Sequence, residues 1–357
     1  MELTVDLCRI VTLNDFEPLA RERMDPAAYD YVAGGAWDEI SLREAVEAWQ
    51  RYRFVPRVLR DTRRIDSTGA FLGRPATLPI AIAPMAFQEL AHPLGELATV
   101  AAAAAFGVPY CLSTSASRTI EEVAAAAPDA ERWFQLYFTE SLGMTRDLVV
   151  RATETGYRAL VVTVDLPVLG YRDRDRRSRF VIPPRANVPR DAERPAGEPG
   201  APDENLPVVL TWADLEEIRS WTDMAFVVKG ILSPDDARHA ADVGVDALVV
   251  STHGARQLDR VIPTAQALPA IVDAVGGRCE VWVDGGIRRG LDVLTALALG
   301  ADGVLVGRPM YWALATAGQA GVERALEILR EEIRIALPLL GVSSPAELTR
   351  DLLAAIR

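Results

Sequence analysis

Cysteine, histidine and long apolar runs are all scarce in this chain. Its three cysteines, Cys8, Cys111 and Cys279, stand far apart in 357 residues. That spacing fits neither a disulfide framework nor a zinc site, so no metal is expected and the thiols read as reduced residues of a cytoplasmic protein. No apolar stretch approaches the length of a membrane span, and Ala101 to Ala105 belongs to a short amphipathic helix pattern. The opening residues, Met1-Glu2-Leu3-Thr4-Val5-Asp6, lack the basic start and apolar core of a signal peptide. Basic charge is in deficit too: 38 Lys and Arg against 50 Asp and Glu leave a net charge of −12. A nucleic-acid binder needs a basic surface to neutralise phosphates, so that class is excluded. An anionic substrate must therefore be captured by local arginines, against the field of the whole molecule.

Set against this scarcity, one of the three histidines keeps chemical company. The stretch Val250-Ser251-Thr252-His253-Gly254-Ala255-Arg256-Gln257-Leu258-Asp259 directly follows the apolar run Ala247-Leu248-Val249. His253 can serve as a base near neutral pH, and Arg256 can hold a carboxylate through paired hydrogen bonds. Together they describe a site that grips an acid and removes a proton beside it. His92 and His239 lack such surroundings and read as a local structural residue and a surface helix residue.

The segment up to about Asp61 reads as helical, with Asn14-Asp15 as a cap, Tyr29-Asp30-Tyr31 near a helix end and Gly34-Gly35 as a break. From Pro79 a different rhythm begins. Short apolar runs cover Ile80–Ala83, Val108–Leu112, Trp133–Tyr137, Ala159–Val164, Ala225–Val228, Ala247–Val250, Val281–Val283 and Val304–Val306. Helix patterns fall between most of them: Glu96–Phe106, Ile120–Ala127, Leu142–Thr155, Pro234–Val243, Ala265–Val275 and Leu291–Leu299. Strands without polar alternation are buried on both faces, as in a parallel sheet wrapped by helices. Eight of them in βα alternation predict an α/β fold, a closed (β/α)8 TIM barrel, over an open doubly wound sheet. The expected layout is one domain over 1–357, with a helical extension over 1–78 and the barrel over 79–357. Residues 183–207, rich in Pro, Arg, Glu, Asp and Gly, read as a long mobile loop after strand 4. Such a loop serves the catalytic face or is plain solvated chain.

Side chains at the C-terminal ends of barrel strands face the active site. In order, these are Pro84-Met85-Ala86, Ser113, Gln135 with Tyr137, Thr163 with Asp165, Lys229-Gly230, and Ser251 with His253 and Arg256. The last two ends bring Asp284-Gly285-Gly286-Ile287-Arg288 and Gly307-Arg308. Glycines that let backbone N–H groups approach, a helix N-terminus and an arginine suit a phosphate, and the ends of strands seven and eight are where barrels bind one. Lys229 closes the run Phe226-Val227-Val228, so its ammonium is expected in the barrel mouth, where it would stabilise charge on an electron-accepting ring. The plainer reading is a surface lysine. Asp165 ends a buried strand and wants an imidazolium partner, unless it caps the following loop. From composition alone Tyr31 and Tyr137 are packed tyrosines, and Arg172 is one cation among Arg174, Arg176, Arg177 and Arg179.

These motifs, with Tyr29-Asp30-Tyr31, Ile82-Ala83-Pro84, Phe134-Gln135-Leu136-Tyr137, Thr163-Val164-Asp165, Val228-Lys229-Gly230, Asp284-Gly285-Gly286 and Gly307-Arg308-Pro309, occur in one order. The chain thereby resembles the FMN-dependent 2-hydroxy-acid oxidase and dehydrogenase family, which includes glycolate, lactate and hydroxymandelate oxidases. The resemblance runs from about Asp15 to Leu353. It implies an FMN cofactor and a small 2-hydroxy acid substrate, with His253 taking the proton and Asp165 stabilising its imidazolium. Arg256 and Arg172 would bind the substrate carboxylate, and Tyr31 and Tyr137 its carboxylate or hydroxyl. Lys229 would sit at the flavin N1/O2 edge. Pro84, Met85, Ala86, Ser113, Gln135, Thr163 and Ser251 would contact the isoalloxazine or ribityl parts. Asp284, Gly286, Arg288, Gly307 and Arg308 would hold the ribityl chain and phosphate. A homotetramer is the family tendency.

Three residues depart from the family pattern. Thr252 replaces the usual asparagine, Arg260 stands where an aromatic residue often follows the aspartate, and Ser115 replaces the bulky aromatic of glycolate oxidases. The last change enlarges the pocket and points to an (S)-mandelate or 4-hydroxymandelate type of substrate over lactate or glycolate. Ala86 falls where poor oxygen users carry glycine, which favours oxygen as acceptor, giving hydrogen peroxide, over a dehydrogenase with another acceptor. A non-redox FMN barrel isomerase or a silent flavin-binding sensor would not need the His253, Arg256 and Arg172 set.

Overall fold

All eight apolar runs become parallel strands of one closed barrel in the computed structural model, which describes residues 5–138, 141–188 and 210–355. The strands are Ile80–Ile82, Tyr110–Ser113, Arg132–Leu136, Ala159–Thr163, Ala225–Ile231, Ala247–Val250, Glu280–Asp284 and Gly303–Val306. The eighth pairs with the first, Val306 opposite Ile82, and closes the ring. The six predicted helices are present as Gly95–Phe106, Ile120–Ala126, Leu142–Glu154, Pro234–Val243, Thr264–Val275 and Gly290–Ala298. Helices Asp173–Ser178, Trp212–Arg219 and Arg308–Leu340 are present besides those six patterns. No helix among the described residues is long and apolar enough to cross a membrane.

The strands carry no polar alternation because both their faces are buried, against different partners. Ala81, Cys111, Ala159, Val161, Val227, Ala247 and Val249 point into the barrel with Trp133 and Trp282. Their neighbours Ile80, Ile82, Leu112, Phe134, Leu160, Phe226, Leu248 and Val304 pack outward in the main core with the helices. Mostly small residues inside and large ones outside match the room available on each side of a tight barrel.

The extension before the barrel is helical only in part. Helices Phe16–Arg23, Pro26–Ala33 and Ile40–Trp49 are followed by strand Tyr52–Phe54, which pairs with Leu353–Ala355, so the helical expectation fails from Gln50 to Asp61. Asp15 does not cap the helix after it. Its carboxylate turns back to accept from the N–H groups of Val11 and Thr12, both at 2.9 Å. A short hairpin, Gly69–Phe71 with Arg74–Ala76, closes the N-terminal end of the barrel. Its Phe71 ring packs edge-on against Trp133 and Trp282, which stack on each other at 4.7 Å. Three-residue strands are too short to show a period, which is why this plug was not legible.

Of the stretch expected to be mobile, residues 189–207 lie outside the described residues. Residues 183–188 are anchored: Ala186 N donates to Ala116 O, and buried Asn187 accepts from the N–H of Ile120. An amide that caps the start of a helix holds its own loop in place.

Candidate active site

The C-terminal rim of the barrel is a ring of short polar links between neighbouring strands. Ser113 Oγ donates to Gln135 Oε1 at 3.2 Å, and Gln135 Nε2 donates to Thr163 Oγ1 at 3.0 Å. Further round, the Lys229 ammonium donates to Ser251 Oγ at 2.8 Å and lies 3.1 Å from Asp284 Oδ2. Lys229 is the only lysine in the sequence, and its side chain is 5% exposed, so it is no surface residue. Burial alone would lower its pKa, but the carboxylates of Asp284 and Asp165 outweigh that and hold it above the ordinary lysine value. The ammonium is therefore a fixed charge.

The sixth strand ends in a strained turn. His253, Gly254 and Ala255 have φ of 54°, 63° and 59°, three left-handed residues in succession. Each non-glycine residue in that region costs about 1–2 kcal/mol, and such strain gathers at functional sites. Thr252 gives the turn a cap: its Oγ1 accepts from Ala255 N at 3.2 Å. The role of this departure from the family's asparagine is thus local and structural. Asp259, at the other end of the motif, accepts from the N–H of Ser41 at 2.8 Å and ties the motif to the extension. Arg260 is exposed and pairs with Asp38.

The turn aims the imidazole. His253 Nδ1 meets Asp165 Oδ1 at 2.7 Å, so Nδ1 carries the hydrogen and Nε2 is left as the acceptor. Tyr137 Oη lies 3.2 Å from that Nε2. Burial pushes the His253 pKa below its ordinary value, and the Asp165 charge offsets this only in part, so the ring is neutral near pH 7. Burial works to raise the Asp165 carboxyl, yet His253 and Lys229 bring it below the ordinary value. Burial and the Asp165 charge raise Tyr137, which stays a hydroxyl. Asp165 is thus a partner for the imidazole and not a loop cap.

Tyr31, Tyr137, Arg172, His253 and Arg256 line one cavity. Both tyrosines belong to the site as well as to the packing: Tyr31 stacks on Phe180 at 4.4 Å and lies under the Arg256 guanidinium. Arg172 is buried (7% exposed), unlike the solvated cation that composition suggests. Arg256 spends its Nη1 on the carbonyls that end helix Pro26–Ala33, among them Gly34 O at 2.9 Å. Its Nε and Nη2 are the donors without a partner among the described residues, so the expected grip is shared between scaffold and ligand.

The same cavity continues along Pro84, Met85, Ala86, Ser113, Gln135, Thr163, Lys229, Asp284, Gly286, Arg288, Gly307 and Arg308. Asp284 Oδ1 is buried without a hydrogen-bond partner among the described residues, an acceptor waiting for a hydroxyl. Gly286 allows no side chain, because a Cβ there would lie 1.9 Å from Ala45 O. Gly307 starts helix Arg308–Leu340, whose N-terminal N–H groups favour an anion. Burial together with the charges of Arg256 and Arg288 lowers Arg308 to about 9, and burial lowers Arg288, so an anion between them would be stabilised. Arg308 already donates to the carbonyls of Val32, Gly34 and Gly254. A phosphate, a hydroxylated chain and a ring beside a fixed ammonium therefore all find suitable groups.

Ser251 is the one expected contact that lies off the cavity wall. Its hydroxyl faces backward, to Lys229 and to the His253 N–H at 3.0 Å. Leu166 and Leu169, on the loop after the fourth strand, line the cavity and were missed. Apolar residues in an irregular loop carry no periodicity that would mark them.

Comparison with known proteins agrees with this geometry. The model of the FMN-dependent dehydrogenase family matches residues 20–355. An L-lactate oxidase of Nostoc sp. is 46% identical, over 93% of this chain and 95% of its own. A 4-hydroxymandelate oxidase of Amycolatopsis orientalis is 45% identical, over 94% and 95% respectively. A crystal structure of mandelate oxidase with (S)-4-hydroxymandelic acid superposes with a TM-score of 0.90 at 44% identity, covering 96% of this chain and 98% of that one. With a full-length family match and relatives far above 30% identity, this chain belongs to the FMN-dependent 2-hydroxy-acid oxidases, enzymes that require FMN.

Proposed function

We propose that the enzyme oxidises an (S)-2-hydroxy acid with an aryl side chain, such as mandelate or 4-hydroxymandelate, to the 2-oxo acid, with oxygen as acceptor and hydrogen peroxide as product. The observation that carries the reaction is the His253 imidazole, held by Asp165 at Nδ1 and facing Tyr137 at Nε2, in a cavity that Arg172 and Arg256 also line. Ser115 supports the larger substrate: it is buried on the wall of the same cavity, beside the apolar Leu166 and Leu169. Identity alone does not separate aryl from short-chain substrates, because the lactate oxidase relative is as similar as the hydroxymandelate oxidase.

Arg172 and the donors left on Arg256 hold the substrate carboxylate, with Tyr31 at the side of Arg256. Tyr137 donates to the substrate carboxylate or hydroxyl and orients the reacting carbon. Pro84, Met85, Ala86, Ser113, Gln135 and Thr163 would hold the ring and chain of the cofactor. Asp284, Gly286, Arg288, Gly307 and Arg308 would hold its ribityl and phosphate end. FMN, when bound, would accept the two electrons and the second hydrogen that leave the substrate. His253 Nε2 takes one proton, and the imidazolium formed is stabilised by Asp165 at 2.7 Å. Lys229 sets positive charge where electron density arrives.

The test is an anaerobic panel of mandelate, 4-hydroxymandelate, lactate and glycolate mixed with the yellow protein. Mandelates are expected to bleach the flavin band fastest, with rapid recolouring in air. No bleaching by any of the four would remove the reading. Slow recolouring would replace oxygen by another acceptor.

A further inference from the structure

Gln257 stands in the same motif as His253 and Arg256, yet it does not line the cavity and has no part in the chemistry above. It is buried, 8% exposed, between two loops. Its Oε1 accepts from Nη2 of Arg172 at 3.1 Å, and its Nε2 donates to the carbonyl of Val168 at 2.9 Å. A guanidinium only donates and a peptide carbonyl only accepts, so these partners fix the orientation of the amide. They also demand a neutral side chain of this length with one acceptor and one donor. Beside it the two backbones touch: a Cβ on Gly170 would lie 2.3 Å from Arg256 O and 2.5 Å from Gln257 O. Arg172 Nε donates to that same Arg256 carbonyl at 3.2 Å.

Arg172 and Arg256 bring like charges into one cavity. Burial and the Arg256 charge lower Arg172 to about 10, and the nearest carboxylate, Asp175, is 3.8 Å away. Without a tie, repulsion and hydration would favour an Arg172 turned towards solvent. We propose that Gln257 is a positioning residue that holds Arg172 against Arg256, so that the two guanidiniums form one carboxylate clamp. Through Val168 it also fixes the wall carrying Leu166 and Leu169. A neutral amide does this without competing for the clamp as a carboxylate would. The inference rests on the reading that the cavity takes a 2-hydroxy acid.

The test titrates flavin-loaded protein with benzoylformate, the 2-oxo acid corresponding to mandelate, and follows the flavin spectrum. Gln257→Met should weaken binding about tenfold, as expected for losing a hydrogen bond to a charged group, with flavin content and limiting bleaching rate little changed. In an Arg172→Leu background the same substitution should add almost nothing, since both changes remove one tie. Gln257→Glu supplies the second variant. Its protonated form again offers one donor and one acceptor, so binding relative to wild type, taken at each pH, should recover as pH falls. Arg172 is the charged group bonded to it, with Asp175 3.8 Å beyond on the far side of that guanidinium and Arg256 its neighbour in sequence, and Gln257→Met should show no such recovery. Wild-type binding with an unaffected Gln257→Met, or an equal loss in the Arg172→Leu background, overturns the assignment alone. Wild-type protein that binds no carboxylate overturns the functional reading and this inference with it.

Discussion

At one end of the barrel Phe71, Trp133 and Trp282 fill the interior ring against ring; at the other, Lys229, Asp165, Asp284 and His253 are kept under cover as polar and charged groups. The two ends are joined by the same strands, and Trp282 and Asp284 lie two residues apart on one of them. At the aromatic end burial takes rings out of water, and the two indole N–H groups keep partners in Glu131 at 3.1 Å and Glu280 at 2.9 Å, so burial stabilises the fold. At the polar end burial is unfavourable for each charge, and the oxygens Asp165 Oδ2 and Asp284 Oδ1 find no partner among the described residues. The difference assigns stability to one end and chemistry to the other. It follows that substitutions should separate cleanly: those at the mouth should stop the reaction in a folded protein, and those at the plug should unfold a protein whose surviving molecules still react.

The largest effect expected is His253→Ala. A positioned base contributes about 10²- to 10⁴-fold, so anaerobic flavin bleaching should slow by that factor with flavin content and melting temperature unchanged. Loss of flavin or of stability would erase the division of labour between the ends. The pH profile sharpens the same point. The base works only when neutral, so the rate should fall as pH drops through the pKa of His253. Burial places that pKa below the ordinary value of 6.5, and the acid limb should lie below it. A limb above 6.5 would mean that Asp165 dominates the imidazole and burial does not.

Next in size is Trp282→Ala at the plug. Trp282 is fully buried and packs on both Trp133 and Phe71. Removing its ring should destabilise the protein by about 3–5 kcal/mol through lost burial and the cavity left behind. The check is a lowered thermal midpoint together with an unchanged bleaching rate per bound flavin in the soluble fraction. An inactive but stable variant would show that the two ends communicate along the strand.

How much of this was legible follows the same line. The mouth could be read because its chemistry demands particular residues at strand ends: His253 with Arg256, Asp165 on its buried strand, and the glycines before Arg288 and Arg308. All of these but Asp165 border the cavity, and Asp165 stands behind His253. The plug could not be read, because Phe71 in a three-residue strand says nothing of the two tryptophans it meets, more than 60 and 200 residues away. Thr252 and Gln257 were visible as letters of a motif, but their jobs depend on a left-handed turn and on Val168 across a loop. Composition alone left Arg172 within a run of arginines; the family resemblance singled it out, and its burial sets it apart from them. One count in the sequence went unread: Lys229 is the only lysine in a chain that otherwise carries its positive charge on arginine.

That solitary lysine provides the smallest and most direct test of the contrast between the ends. A surface can carry its positive charge on arginine as well as on lysine, so a chain that keeps one lysine keeps it for a compact, strongly hydrated point charge that guanidinium cannot imitate. Lys229 is 5% exposed, donates to Ser251 and sits 3.1 Å from Asp284, and its pKa is held above the ordinary value by Asp284 and Asp165. An ammonium so placed is neither accessible nor deprotonated near neutral pH. Acylation of the folded, flavin-loaded protein with an amine-directed reagent should therefore leave residue 229 unmodified, read by mass after digestion. In denaturant a mass increment should appear at residue 229. Labelling of Lys229 in the folded protein would mean that the mouth is open to solvent at its base, and that the polar end is not held under cover as the aromatic end is.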